Sequence, residues 1–306
     1  MIKYFILFSA ASLLFGCVST GPHIVEDKSE YTKKVKPQSL VLKKKNRAHC
    51  PDQLVDLPIK KWSQVLDLAN SCVKSGNWEN VEKLAKHLSL KESDSPWGSY
   101  YMSIFMLEKH RMDHAEWLAN LAIKKAPEFG MLYFQRARVL WEKGEKELAF
   151  EDAHKALSLD DRILAAHQFL GEMYLRDLAY QKASEHLQKV YDSSFQSPPV
   201  VLGLAESRYE LRQYELAAPL VKQALDIKQR DVRLYYMLAT SLETIPEKLE
   251  DTIDAYTDLR MLIQNKKTDV VSMAQVESRL QDLKKKLDEQ KQRQVSSVKN
   301  AKEDKK

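Results

Sequence analysis

Residues 130–163 read GMLYFQRARVLWEKGEKELAFEDAHKALSLDDRI, and residues 164–197 repeat their pattern as LAAHQFLGEMYLRDLAYQKASEHLQKVYDSSFQS. In both stretches a small residue stands at the eighth position, an alanine at the twentieth and another apolar residue at the twenty-seventh. These residues are Ala137 and Gly171, Ala149 and Ala183, and Ala156 and Val190. Because helices approach closely only where side chains are small, the pattern predicts paired helices that cross at these positions.

The same period extends in both directions from this stretch. Six successive units begin at Trp62, Pro96, Gly130, Leu164, Pro198 and Val232. The first five units keep a common register without an insertion, whereas the sixth requires about one extra residue near Pro246. Pro219 lies inside the second helix of the fifth unit and predicts a kink or a shifted helix start there.

This pattern resembles the tetratricopeptide repeat (TPR), a family of helix–turn–helix units of roughly 34 residues. The resemblance covers residues 62–263. It implies an all-α fold, a right-handed α-solenoid of about six TPR-like repeats with a C-terminal capping helix.

An amphipathic stripe follows the last repeat, with apolar residues spaced three and four apart. Its members are Met273, Val276, Leu280, Leu283 and Leu287. We therefore predict that residues 264–289 form an amphipathic capping helix and that residues 290–306 form a basic, disordered tail. A coiled coil that dimerises or binds a partner is the alternative interpretation of the stripe.

The N-terminus has the layout of an export signal. Lys3 precedes an apolar run over residues 4–15, which is too short to span a membrane comfortably. A leucine three residues before Cys17 and a glycine directly before it resemble a bacterial lipobox. The resemblance implies a lipoprotein signal peptide over residues 1–16, acyl chains on Cys17 and, from Val18, the periplasmic side of the outer membrane. An ordinary cleaved signal, with Cys17 incidental, is the alternative.

Residues 17–61 are predicted to be the lipidated N-terminus and a basic, flexible tether, because they are rich in Lys and Ser and show no period. Cys50 near the end of the tether and Cys72 in the first repeat remain after signal removal. In an oxidising compartment these two residues could form a disulfide that clips the tether onto the first repeat. The alternative is that Cys72 is simply a small core residue.

The net charge of +5 is distributed unevenly along the chain. Residues 28–47 carry eight Lys and Arg against one Glu, and residues 284–306 carry nine against four acidic residues, so the body between them is mildly acidic. The basic ends are either solvated linkers or segments attracted to anionic surfaces. The body has no basic face for a phosphate backbone, so nucleic acid is not an expected partner.

No catalytic, metal or phosphate-binding motif is present in the sequence. His110, Asp113 and His114 could share one helical turn as metal ligands, but they fall at a hairpin turn where polar residues are expected anyway. We therefore predict a protein that is not an enzyme and has no cofactor, no metal and no small-molecule substrate.

The resemblance to the TPR family implies a groove lined by the second, fifth, ninth, twelfth and thirteenth residues of each unit. The predicted partner-binding residues are Trp97, Tyr100, Ile104, Phe134, Arg138, Trp141, Glu172, Tyr209 and Tyr236. Large aromatic residues at the N-terminal end predict an anchor for an extended or helical peptide. The alternative is that these side chains pack under the tether or against neighbouring helices.

A lipobox followed by repeats resembles the pilotin-type lipoproteins of type IV pili and the repeat lipoproteins of Tad-type pili and secretion systems. That resemblance implies a non-catalytic scaffold on the periplasmic face of the outer membrane, which assists assembly of a secretin or pilus. The alternative function is an adaptor that recruits periplasmic proteases or peptidoglycan enzymes to their substrates. In both cases the partner is a protein, and acyl chains provide the membrane contact.

Overall fold

The computed structural model describes residues 50–52, 62–193, 196–264 and 268–303. Within these ranges the regular structure is entirely helical. The helices are α1 (Trp62–Ser75), α2 (Trp78–Lys91), α3 (Trp97–Glu108), α4 (Met112–Lys125), α5 (Gly130–Lys143), α6 (Lys146–Leu159), α7 (Leu164–Arg176), α8 (Tyr180–Asp192), α9 (Pro198–Glu210), α10 (Tyr214–Ile227), α11 (Val232–Glu243), α12 (Leu249–Ile263) and α13 (Met273–Glu303). The predicted signal peptide, Cys17 and the tether up to residue 49 lie outside the described residues.

The helix bounds follow the 34-residue register. The second helix of each of the first five units begins at the seventeenth position of its unit. In the sixth unit it begins one residue later, at Leu249, because a short 3-10 turn at Pro246–Lys248 accommodates the extra residue. Pro219 lies within α10 without shifting its start, which remains at Tyr214.

A residue with left-handed backbone follows the first helix in each of the first five units. These residues are Gly76, His110, Gly144, Leu178 and Arg212. Glycine adopts this conformation without a steric penalty, which accounts for Gly76 and Gly144 at two of these turns. The φ angles of +57° at Leu178 and +58° at Arg212 show that the repeat geometry imposes the same turn on side chains that disfavour it.

The described chain divides into two compact units, one ending at Leu170 and one beginning at Gly171, within α7. In the first unit consecutive helices pack from α1 to α6, and in the second they pack from α8 to α13. The small residues of the repeat pattern lie at these contacts, since the eighth residue of every unit and the twentieth residue of the first five units are buried. The expected all-α TPR fold is therefore confirmed.

Helix α13 packs its apolar stripe against α12 through Val276, Leu280 and Leu283, which are buried. The prediction that the chain becomes disordered at residue 290 is wrong, because α13 continues to Glu303. Residues 290–303 contain no glycine or proline, and half of them are Lys, Gln or Arg, which favour helix even without a buried face. Among the described helices, none combines the length and apolar character needed to cross a bilayer.

Candidate partner-binding site

In the first unit, the predicted groove residues on α3 are part of the hydrophobic core. Trp97, Tyr100 and Ile104 are all buried. The Trp97 ring meets the rings of Tyr100 and Phe129 edge-on, with centroids 5.6 and 5.7 Å apart. Edge-to-face pairs at this spacing are favourable, so these rings stabilise one another rather than face solvent.

A second aromatic group connects α5 with the start of α7. The Phe169 ring lies edge-on to Phe134 and to Trp141, at centroid distances of 6.0 and 5.8 Å. Phe134 is buried, whereas Trp141 is half-buried. The ammonium of Lys146 lies over the Trp141 ring, 5.5 Å from its centroid. Only one edge of this group therefore reaches the surface.

The prediction of an open aromatic groove in the first unit is wrong for Trp97, Tyr100, Ile104 and Phe134. Large side chains stand at successive groove positions there, and their rings fill the space that smaller residues would leave open. Of the predicted residues in this unit, Arg138 and Trp141 remain partly exposed. Arg138 donates to Gln135 Oε1 at 3.0 Å, so its guanidinium is held in place.

In the second unit, the corresponding positions on α9 and α11 are partly exposed. Tyr209 and Tyr236 are both half-buried. The hydroxyls of Tyr209 and Thr240 form a hydrogen bond of 3.1 Å between the two helices, and the Thr240 hydroxyl lies 2.8 Å from the carbonyl oxygen of Tyr236. Burial raises the pKa of Tyr209 above its ordinary value.

Charged side chains flank these tyrosines. Arg233 on α11 donates from Nη2 to Glu206 Oε1 at 2.7 Å, and the same Nη2 lies 3.6 Å from Glu210 Oε1. Arg233 has 43% of its side chain exposed, and the side chains of Glu206 and Glu210 are 23% and 35% exposed. The two carboxylates and one guanidinium are thus fixed in position while still accessible to a partner.

Side chains of α12 and α13 bind Glu243 at the C-terminal end of α11. The buried hydroxyl of Tyr256 donates to Glu243 Oε2 at 2.9 Å, and the guanidinium of Arg279 on α13 pairs with the same carboxylate. Burial, together with the nearby hydroxyls of Tyr236 and Tyr209, raises the pKa of Tyr256 to about 12. The capping helix therefore fixes the carboxylate at the C-terminal end of α11.

We call this surface the α9–α11 face. It consists of Glu206, Tyr209, Glu210, Arg233, Tyr236 and Thr240. The groove pattern located Tyr209 and Tyr236, and Glu172 lies half-buried on the neighbouring α7. Arg233 was missed, although it stands at the second position of its unit, which belongs to the family's groove set. The face presents aromatic rings, hydroxyl groups and side chains of both charges, which suits the binding of a polypeptide segment.

The α9–α11 face does not have the composition of a metal centre. No cluster of three His, Cys, Asp or Glu residues able to hold a metal is found in the described ranges. The acidic residues of the face are paired with Arg233, which would compete with a cation for them.

No protein-family model matches the sequence, and no curated protein is significantly similar to it. Solved structures are similar in fold. The structure of pilF from Pseudomonas aeruginosa is 15% identical, with a TM-score of 0.51 over 66% of this chain and 92% of that one. The C-terminal part of a TPR repeat-containing protein from Cytophaga hutchinsonii is 17% identical, with a TM-score of 0.46 over 64% and 78% of the two chains. At this identity the likeness to pilF shows the fold alone, and it agrees with the TPR fold described above.

Proposed function

We propose that this chain is a non-catalytic scaffold of the bacterial envelope that binds a segment of a partner protein on the α9–α11 face. The observation that carries the proposal is the contrast between the units: groove positions are filled by core aromatics in the first, and present partly exposed Tyr, Arg and Glu in the second. Tyrosine and arginine are enriched among residues that dominate binding energy.

The geometry of the face limits the cost of binding. The contacts between Tyr209 and Thr240 and between Arg233 and Glu206 already hold these side chains in place. Binding a partner therefore costs less side-chain entropy than it would on a surface whose side chains are mobile. Both signs of charge are present, so the expected ligand is a segment with apolar or aromatic residues flanked by both acidic and basic ones.

Replacing Tyr209 and Tyr236 together by alanine is expected to reduce partner recovery about tenfold or more, because each removes a central, half-buried ring. The measurement is a pull-down of the mature protein from detergent-solubilised envelopes, quantified by mass spectrometry. Circular dichroism establishes that the variant is folded.

Tyr191→Ala is the matched control. Tyr191 is a half-buried tyrosine of the same unit whose hydroxyl donates to Gln223 at 3.1 Å, but it lies on α8, outside the face. This variant should recover the partner like the wild type. If the folded double variant binds as well as the control, the α9–α11 face is not the binding site.

The proposal places the scaffold on the periplasmic side of the outer membrane through acyl chains on Cys17, the first residue of the tether predicted over residues 17–61. Its support is the lipobox-like end of the apolar N-terminal run. Multiple acyl chains bind a membrane stably, whereas a protein without them has no comparable anchor.

Cys17→Ser is expected to release nearly all of the protein from the membrane fraction. Fractionation with an antibody against the repeats measures this release. Val18→Asp, which keeps the cysteine, should stay membrane-bound and move toward the inner membrane on a density gradient. Retention of Cys17→Ser in the membrane pellet would contradict lipid anchoring.

We propose that this scaffold assists the assembly of a pilus or of a secretion secretin. This role rests on the architectural resemblance to pilotin-type and Tad-type lipoproteins, in which a lipid-anchored repeat body accompanies a pore-forming ring. Recovery of a secretin or pilus subunit in the pull-down, lost with the tyrosine variant, supports this role. Recovery of periplasmic proteases or peptidoglycan hydrolases instead would replace it with the adaptor role.

A further inference from the structure

Residues 50–52 form a short strap that lies against the first repeat. The Sγ atoms of Cys50 and Cys72 are joined in a disulfide, with Cα atoms 4.8 Å apart, so the strap is attached covalently to α1. Among the described residues α1 and α2 form the first hairpin, and Cys50 is almost completely buried among the core residues around it. The strap therefore covers apolar surface of the first described hairpin.

Asn77 in the α1–α2 turn and Asn80 in α2 bind the same strap. The carbonyl oxygen of Pro51 accepts from Asn80 Nδ2 at 2.7 Å and from Asn77 Nδ2 at 3.2 Å. Asn80 is only 1% exposed, although it is a polar residue on the buried side of α2. A buried amide is costly without hydrogen bonds, so the interior of this hairpin is built to receive the strap.

Neither sulfur is accessible in the closed hairpin, since Cys72 is 0% and Cys50 5% exposed. Thiol–disulfide exchange requires a second molecule to approach one sulfur in line with the bond that is made or broken. A disulfide donor therefore cannot reach these cysteines once the hairpin is closed, and a reductant cannot reach the bond.

We propose that Cys50 and Cys72 are a dithiol oxidation site, that their oxidation completes the N-terminal repeat, and that closure of the hairpin then shields the bond. The oxidant is a protein or small-molecule disulfide of the compartment. A cysteine thiolate attacks this disulfide and releases one thiolate, and the second cysteine resolves the mixed disulfide and releases the other. The two cysteines lose two protons and two electrons, and the donor disulfide becomes two thiols.

This order of events couples folding to location. In a reducing compartment the strap is not attached, and Asn80 depends on a segment held only by hydrogen bonds. In an oxidising compartment the bond forms while the hairpin is open, and the finished repeat then protects it. The inference concerns α1 and α2 and is independent of the α9–α11 face.

The first test measures access to the bond. The oxidised mature chain is incubated with excess dithiothreitol, with and without urea, and free thiols are trapped with a maleimide and counted by mass. Reduction in the native state is expected to be at least about 100-fold slower than in urea, because it requires the hairpin to open. Equal rates would overturn the shielding.

The second test measures what the bond does. Hydrogen exchange is compared between the oxidised chain and Cys50→Ala/Cys72→Ala, in which alanine keeps a small apolar residue in α1. Amides of α1 and α2 are expected to exchange about 100-fold faster in the variant, while those of α9 to α12 stay unchanged as the internal control. Equal protection of α1 and α2 in both chains would show that oxidation does not complete the repeat and would overturn the proposal.

Discussion

Replacing Leu187 by alanine is expected to lower the free energy of unfolding of the second unit by about 3–5 kcal/mol. Leu187 is fully buried on α8. A Cβ atom built on Gly171 would lie 2.6 Å from Leu187 Cγ, and one built on Gly203 would lie 2.9 Å from its Cδ1. The leucine thus fills space left by glycines on α7 and α9, and neither glycine can close the cavity. Urea unfolding followed by circular dichroism measures the loss.

The same packing predicts a strong coupling between Leu187 and Gly171. On its own, Gly171→Ala places a methyl group inside the Leu187 side chain and is expected to destabilise by about 1–3 kcal/mol. With alanine at position 187 the clash is removed, and the gain of about 1 kcal/mol from replacing a helical glycine remains. The stability lost in the double variant should therefore be smaller than the sum of the two single losses by at least about 1 kcal/mol.

Leu216→Ala is the control for this cycle. Leu216 is on α10 in the same unit but is 53% exposed, so its truncation should change stability by less than about 0.5 kcal/mol. Strict additivity between the Gly171 and Leu187 variants would contradict the packing described for this site.

The sequence pattern predicted where the helices approach one another but not which residues fill the space. A small residue at the eighth position of a repeat, such as Gly171, can be recognised from the sequence period alone, without knowing which residue packs against it. The neighbour, Leu187, is sixteen residues away and has no distinctive signature among other leucines. Residue type therefore located the crossing points, and only the fold identifies the contacts.

The candidate site was predicted less well for the same reason. Groove positions follow from the period, but their exposure depends on the size of side chains one repeat away. Phe134 is buried because Phe169, thirty-five residues later, meets its ring. Tyr209 remains accessible because a threonine, Thr240, meets it instead. Exposure of a groove position is therefore a property of residue pairs.

Arg136 shows how a departure from the pattern is explained by a distant residue. It stands at the seventh position of the third unit, where the other five units have Leu or Met. Its Nε and Nη2 donate to the two carboxylate oxygens of Asp152 at 2.6 and 2.7 Å, and its Nη1 donates to Asn120. The hydrogen bond to Asp152 raises the pKa of Arg136. Asp152 is itself a departure, since leucine occupies its position in three other units.

Arg136→Leu is expected to destabilise the first unit by about 2–4 kcal/mol, even though it restores the repeat pattern. The Asp152 side chain is only 10% exposed, and the substitution removes the charge and both hydrogen bonds that compensate its burial. Asp152→Leu alone should cost less, because the Arg136 side chain is 27% exposed and retains its bond to Asn120. Urea unfolding, with hydrogen exchange to assign the loss to α5 and α6, measures both effects.

The double variant Arg136→Leu/Asp152→Leu tests whether the ion pair stabilises the unit more than two leucines at the same positions would. A buried ion pair often contributes no more than apolar residues of similar size, so the double variant is expected to be as stable as the wild type or more so. Glu79→Ala, which breaks the exposed Glu79–Lys83 pair on α2, should leave stability almost unchanged. If the double variant is instead less stable than the wild type, the ion pair stabilises the unit more than leucine packing does, and the repeat pattern is the poorer solution at these two positions.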